Sequence, residues 1–135
     1  MNENVREKFF SALLRRPGTR KQAREMLKRE KLSAEEREAL MLEAEDAGLI
    51  DDEAFARLFV DGHLQWGNLK IAYELGMRGV QMEEIENALD DAEEEPERAQ
   101  ELAESWRKSG LEEKKIISRL LSRGFTNRSV RSITR

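Results

Sequence analysis

Apolar residues recur along this chain at helical spacing, and no stretch alternates in the manner of a strand. Val5, Phe9, Ala12 and Leu13 share one helix face before Pro17 and Gly18 break the pattern. Thr19 can cap a second helix bearing Ala23, Met26 and Leu27, and Ser33 with Glu36 reads as the capping box of a third, which ends at Gly48. Asp51 and Asp52 suit the positive end of a fourth helix, whose apolar face is read as Phe55, Leu58 and Phe59. After Gly62 and Gly67 a fifth helix carries Leu69, Ile71, Ala72 and Leu75 and stops at Gly79; a sixth carries Met82, Ile85 and Leu89. Beyond the charged boundary around Pro96, a seventh shows Ala99, Leu102, Ala103 and Trp106 at i, i+3, i+4, i+7. An eighth, from about Leu111, carries Ile116, Ile117, Leu120 and Leu121 to Gly124, and a short ninth holds Val130 and Ile133.

The pattern repeats. A shift of 45 residues lays Leu75, Arg78, Gly79, Val80 and Ile85 on Leu120, Arg123, Gly124, Phe125 and Val130. A shift of 48 the other way lays Leu75, Val80 and Glu84 on Leu27, Leu32 and Glu36, with Lys31 where the glycine would be. The expected fold is therefore all-α: three tandem three-helix repeats over residues 1–50, 51–94 and 95–135, in an elongated, curved array. The glycine answers a backbone need, because a sharp turn after a helix favours the left-handed conformation that glycine adopts without strain.

Composition narrows the function classes. The 135 residues include no cysteine and one histidine, His63, which leaves out disulfides, thiolate nucleophiles and multi-histidine metal sites. No 18-residue apolar run and no secretory h-region occur, so a cytoplasmic location is expected. No phosphate-binding glycine loop or paired catalytic motif is evident, and the expectation is a non-enzymatic protein without cofactor or metal. The net charge of −4 conceals a division: residues 1–50 hold 11 basic and 10 acidic groups, residues 51–95 hold 3 and 13, and residues 96–135 hold 10 and 5. A negative middle between positive ends suits a partner that reads charge patterns.

Two basic clusters are the candidate binding residues. From Arg15 to Lys31 there are eight basic and two acidic groups, with Arg20, Arg24 and Lys28 spaced by four as a stripe, joined by Arg15, Arg16 and Lys21. From Ser105 to Arg135 there are nine against two; Lys115, Arg119 and Arg123 are again spaced by four, with Lys114, Arg128 and Arg131 beside them. Such stripes can meet phosphates or an acidic protein, or can simply be solvated faces and dipole-favoured helix ends. Asp90 to Glu95 reads as a solvated helix end, with nucleic-acid mimicry as its rival. Arg78 and Arg123, before their glycines, read first as residues satisfying the last helix carbonyls, and Trp66 and Trp106 as packing residues.

The segments GLIDDEAFARLFVDG (48–62), WGNLKIAYELGMRGV (66–80) and KKIISRLLSRGFTNRSV (114–130) resemble the RecX family of recombinase regulators, and TRKQAREMLKREKLSAEE (19–36) matches it more loosely. Lys31, in place of the usual glycine, and Arg37, where the family tends to be apolar, predict a less regular first repeat. The resemblance implies a bacterial cytoplasmic monomer that lies in the groove of the RecA–DNA filament, bridges neighbouring subunits and limits recombination and the SOS response, with direct DNA binding in some members. The alternative is a small helical DNA-binding protein acting on nucleic acid alone.

Overall fold

The structure, a computed structural model, describes residues 3–134. Among them the helices are α1 (Glu3–Arg15), α2 (Arg20–Lys28), α3 (Ala34–Asp46), α4 (Asp52–Asp61), α5 (Asn68–Met77), α6 (Met82–Asp90), α7 (Glu95–Lys108), α8 (Glu113–Ser122) and α9 (Asn127–Ser132), with no strand among the described residues. Every pair of helices in extensive contact belongs to one group of three: α1–α3, α4–α6 or α7–α9. The all-helical, three-repeat architecture expected from the sequence is present.

The helix starts follow the sequence closely. Thr19 with Gln22 and Ser33 with Glu36 form reciprocal capping boxes, and Asp51 accepts from the Ala54 N–H; caps of this kind stabilise a helix by about 1 kcal/mol each. The Ser33 contacts hold the Glu36 carboxyl below its ordinary range. At the repeated helix stops, Gly79 has φ 91° and Gly124 φ 89°. There the Val80 N–H donates to the Leu75 carbonyl at 3.0 Å and the Phe125 N–H to Leu120 at 3.1 Å, closing the same turn in both repeats.

The first repeat solves the problem without glycine. No non-glycine residue among those described has a positive φ, so Lys31 does not enter the left-handed region. The chain instead turns through a Leu32 N–H to Glu30 carbonyl bond of 3.0 Å, and Arg37 Nη1 donates to the Leu32 carbonyl at 3.0 Å. Lys31 and Arg37 are thus linked departures: a different turn, held by a guanidinium from the next helix.

Each group of three has its own apolar cluster. Phe9, Leu13, Leu27, Leu40 and Met41 centre the first, Val60, Ile71, Leu75 and Ile85 the second, and Ile116, Leu120, Phe125 and Val130 the third. Four residues read as core-facing are instead exposed: Leu58 on α4, Leu69 on α5, Met82 at the start of α6 and Leu121 on α8. Ala56 and Val60 occupy the buried face of α4 that Leu58 was expected to share, and Ile71 and Leu75 that of α5. Apolar side chains surround these short helices more widely than their cores can accept. The accessible surface of 8930 Å² exceeds the roughly 7,300 Å² of a compact monomer of this mass, consistent with an extended array.

Two glycine substitutions distinguish turn from helix. At Gly124 an added side chain would have to adopt φ 89°, which L residues rarely do, and its Cβ would lie 2.5 Å from the Cβ of Lys70, whereas at Gly76, inside α5, it meets nothing within 4 Å. Urea unfolding should show Gly124→Ala losing about 2 kcal/mol or more and Gly76→Ala gaining about 0.5–1 kcal/mol.

Candidate partner-binding surfaces

The repeats join through backbone and polar groups. Between the first and second, the Thr19 hydroxyl, fully buried at the start of α2, donates to the Arg78 carbonyl at 2.5 Å. Lys21 Nζ donates to the Met77 carbonyl at 3.4 Å, and the Arg20 N–H to Asp52 Oδ1 at 2.8 Å. Between the second and third, Gly67 at the start of α5 takes the place of Thr19. Its N–H donates to the Arg123 carbonyl at 2.8 Å, and the Leu69 N–H donates to Gly124 at 3.1 Å. A Cβ on Gly67 would strike the backbone of Gly124 and Phe125. Both junctions therefore set the start of a repeat's second helix on the Arg-Gly stop of the next repeat.

The second junction also contains two buried charges. Glu95, 5% exposed, accepts from the Asn68 N–H (2.5 Å), the Thr126 N–H (3.1 Å) and hydroxyl (2.7 Å), and the Ser129 hydroxyl (2.6 Å). Burial pushes its carboxyl up, but hydrogen bonds from Ser129, Asn68 and Thr126 outweigh this and hold it below the ordinary range. Arg98, 3% exposed, donates to the Glu93, Leu64 and Trp66 carbonyls at 3.0, 3.0 and 2.6 Å and to Asn68 Oδ1. The reading of Asp90–Glu95 as a solvated helix end fails at Glu95, because four donors from α5 and α9 converge on it. Arg98 escaped the sequence reading; Glu95 and Arg98 share a helix face at i, i+3, but that spacing alone does not mark burial.

The candidate cations fall into distinct settings. Arg20, Lys21, Arg24 and Lys28 line one side of a cleft of about 810 Å³, opposite Asp51, Asp52 and Glu53 at the start of α4 and Glu83 and Glu84 at the start of α6. Arg20 pairs with Glu45 at 2.8 Å and Arg24 approaches Glu38 at 3.9 Å, while Lys28 makes no ion pair among the described residues. Across the cleft the Glu84 carboxyl is raised by burial and by Asp52 and Glu53, against the opposing pull of Arg20. The first stripe thus faces the chain's own carboxylates. Arg15 and Arg16 line a second cleft, of about 820 Å³, with Phe55 and Arg78 and no carboxylate.

In the third repeat Arg119 and Arg123 both stack on Trp106, each at 5.0 Å from the ring centre. Lys114, Lys115, Arg128 and Arg131 are exposed and make no ion pair among the described residues. Arg135 lies outside those residues. Arg78 does satisfy a helix carbonyl, donating to Glu74 O at 2.9 Å and to its carboxylate at 2.8 Å, whereas Arg123 departs from that pattern by stacking. Phe59, His63 and Trp66 form a ring cluster with Arg78 over Phe59 and Lys70 over Trp66. Both tryptophans pack against apolar clusters. Among the described residues no helix is long and apolar enough to cross a membrane, and no group of three or more potential ligands could hold a metal.

Residues 51–89 match the family described as RecX, second three-helix domain. Over 121 residues the chain is 31% identical to a regulatory protein RecX of Caldanaerobacter subterraneus subsp. tengcongensis, covering 86% of this chain and 61% of that protein. The chain therefore spans about three-fifths of the length of that relative. A crystal structure of RecX from Lactobacillus salivarius superposes with a TM-score of 0.77 at 22% identity, over 97% of this chain and 95% of that one. A second crystal structure, of a regulatory protein RecX, gives 0.75 at 22% identity over 96% and 69%. At that identity the two structures speak for the fold.

The Glu95 contacts carry a stability prediction. Glu95→Gln turns an acceptor into a donor facing other donors and should cost about 2–3 kcal/mol in urea unfolding at neutral pH. A depressed carboxyl stabilises above the unfolded value of about 4.3 and stops doing so as pH falls through the lower folded value. The gap between wild type and variant should therefore narrow on acidification through that window; a pH-independent gap would contradict the charged, hydrogen-bonded state of Glu95.

Proposed function

We propose that this chain belongs to the RecX family of regulatory proteins, which its middle repeat matches, and that it is a non-enzymatic modulator of the RecA recombinase, mainly an inhibitor. In this reading it lies along the groove of the RecA–DNA filament in the cytoplasm and spans neighbouring subunits. The carrying observation is an extended array whose middle repeat matches RecX and whose outer repeats hold the basic residues. An array of this kind can engage two separated surfaces at once, and the second contact then forms at the high effective concentration set by the first. Lys114, Lys115, Arg128 and Arg131, free of carboxylate partners, are the best placed for charge-assisted contact; Arg15, Arg16 and Lys28 follow. Arg20 and Arg24 would first have to leave Glu45 and Glu38.

A stoichiometric excess of the protein should lower RecA's single-stranded-DNA-dependent ATPase rate and shorten filaments seen by electron microscopy; unchanged rate and length overturn the reading. Reversing Lys114, Lys115, Arg128 and Arg131 to glutamate should weaken filament binding at low salt more than reversing Arg20, Arg24 and Lys28. The unpaired cations of the third repeat also favour the second reading, direct DNA binding. That reading predicts tight, steeply salt-dependent duplex binding by the chain alone in a gel-shift assay.

A further inference from the structure

We infer that the exposed face of α5 is the protein-contacting face of the array, and that it seats on an apolar patch of a RecA subunit flanked by carboxylates. This rests on the RecA reading and deepens it. Leu69, Tyr73, Gly76 and Met77 fall at i, i+4, i+7 and i+8, one uncharged helix face, and all four are exposed. Leu69, Tyr73 and Met77 keep 61%, 65% and 59% of their surface in water. The register is fixed by Ile71 and Leu75, which are buried like their counterparts Ala23 and Leu27 on α2 and Ile116 and Leu120 on α8. In that register the same face carries Lys21, Glu25 and Lys28 on α2 with Arg29 at its C-cap, and Lys114, Ser118, Leu121 and Ser122 on α8. Only the middle repeat makes it apolar.

Gly76 adds an independent sign. A glycine inside a helix costs stability, and here no neighbouring atom requires it, because an added Cβ would enter open space. It leaves a notch between Tyr73 and Met77 through which another chain could approach the α5 backbone.

Charge selects the occupant. Of the thirteen acidic residues between 51 and 95, Glu74 alone lies on α5, and it is paired with Arg78 at 2.8 Å. Cations stand at both ends of the stripe: Lys21, whose Nζ reaches the Met77 carbonyl, and Lys70 in the first turn of α5, its Nζ over Trp66. An apolar centre gives phosphates nothing to bind, which disfavours nucleic acid. Pairing two copies of this face antiparallel would set the cations of one end against those of the other, which disfavours a homodimer. A protein surface with apolar side chains between carboxylates answers both the centre and the ends.

The test is co-sedimentation with RecA filaments of wild type, Tyr73→Ser/Met77→Ser, Gly76→Phe and the control Leu58→Ser, an equally exposed position on α4. The α5 variants should bind at least about tenfold more weakly, with the control unchanged. A photo-crosslinking benzoylphenylalanine at position 73 should capture RecA, and one at position 58 should not. Wild-type binding with α5 variants within twofold of it, or no capture from position 73, overturns this inference and leaves the RecA reading standing. Absence of wild-type binding overturns both. If the α5 variants lose DNA affinity in the absence of RecA, the face belongs to nucleic acid and the inference fails.

Discussion

The start of one repeat's second helix must reach the backbone of the next repeat's helix stop. At both junctions the receiving carbonyl belongs to the arginine before a glycine, Arg78 or Arg123, and the donor is a helix N-cap residue, Thr19 or Gly67. The close fit leaves no room for side chains. At Gly124 a Cβ would press on Lys70, and at Gly79 on Lys21. The glycines therefore answer two demands, a left-handed turn within one repeat and a bare surface for its neighbour, and losing either would disturb the spacing of the array.

Because the junctions are polar, the apolar residues remain within the repeats as three separate clusters. Such junctions gain little from area and much from direction. Glu95 and Arg98 are the extreme case. Burying two charges is costly, and the cost is offset only by saturating them with hydrogen bonds, which Asn68, Thr126, Ser129 and three carbonyls supply. Misplacing α7 against α5 would leave a buried carboxylate or guanidinium without partners, so this pair favours a single arrangement of the second and third repeats.

The charge division also acquires a spatial meaning. The carboxylates of the middle repeat lie mostly at the starts of α4 and α6 and before α7, and part of them faces the α2 stripe across a cleft. The first repeat's positive charge is accordingly partly spent within the chain, whereas the third repeat's outer cations remain free. Within that acidic repeat α5 carries only Glu74, which pairs with Arg78, and this leaves the helix an uncharged, apolar face between the two basic repeats.

Short-range chemistry was legible from the residues. The capping boxes at Thr19 and Ser33, the Asp51 cap, the helix stops at Gly79 and Gly124 and the threefold repetition depend on neighbours within a few positions, and helical spacing displays them. The tertiary structure decided which of several apolar faces a short helix would bury. It turned Leu58, Leu69 and Met82 outward, because helices of nine or ten residues carry more apolar side chains than a three-helix core accepts. It also decided which charges would be buried or neutralised. Glu95 in an acidic run and Arg24 in a basic stripe look like solvated residues until partners 31 and 14 positions away are brought to them. Burial and pairing of charge depend on contacts between distant segments, and local sequence spacing does not encode them.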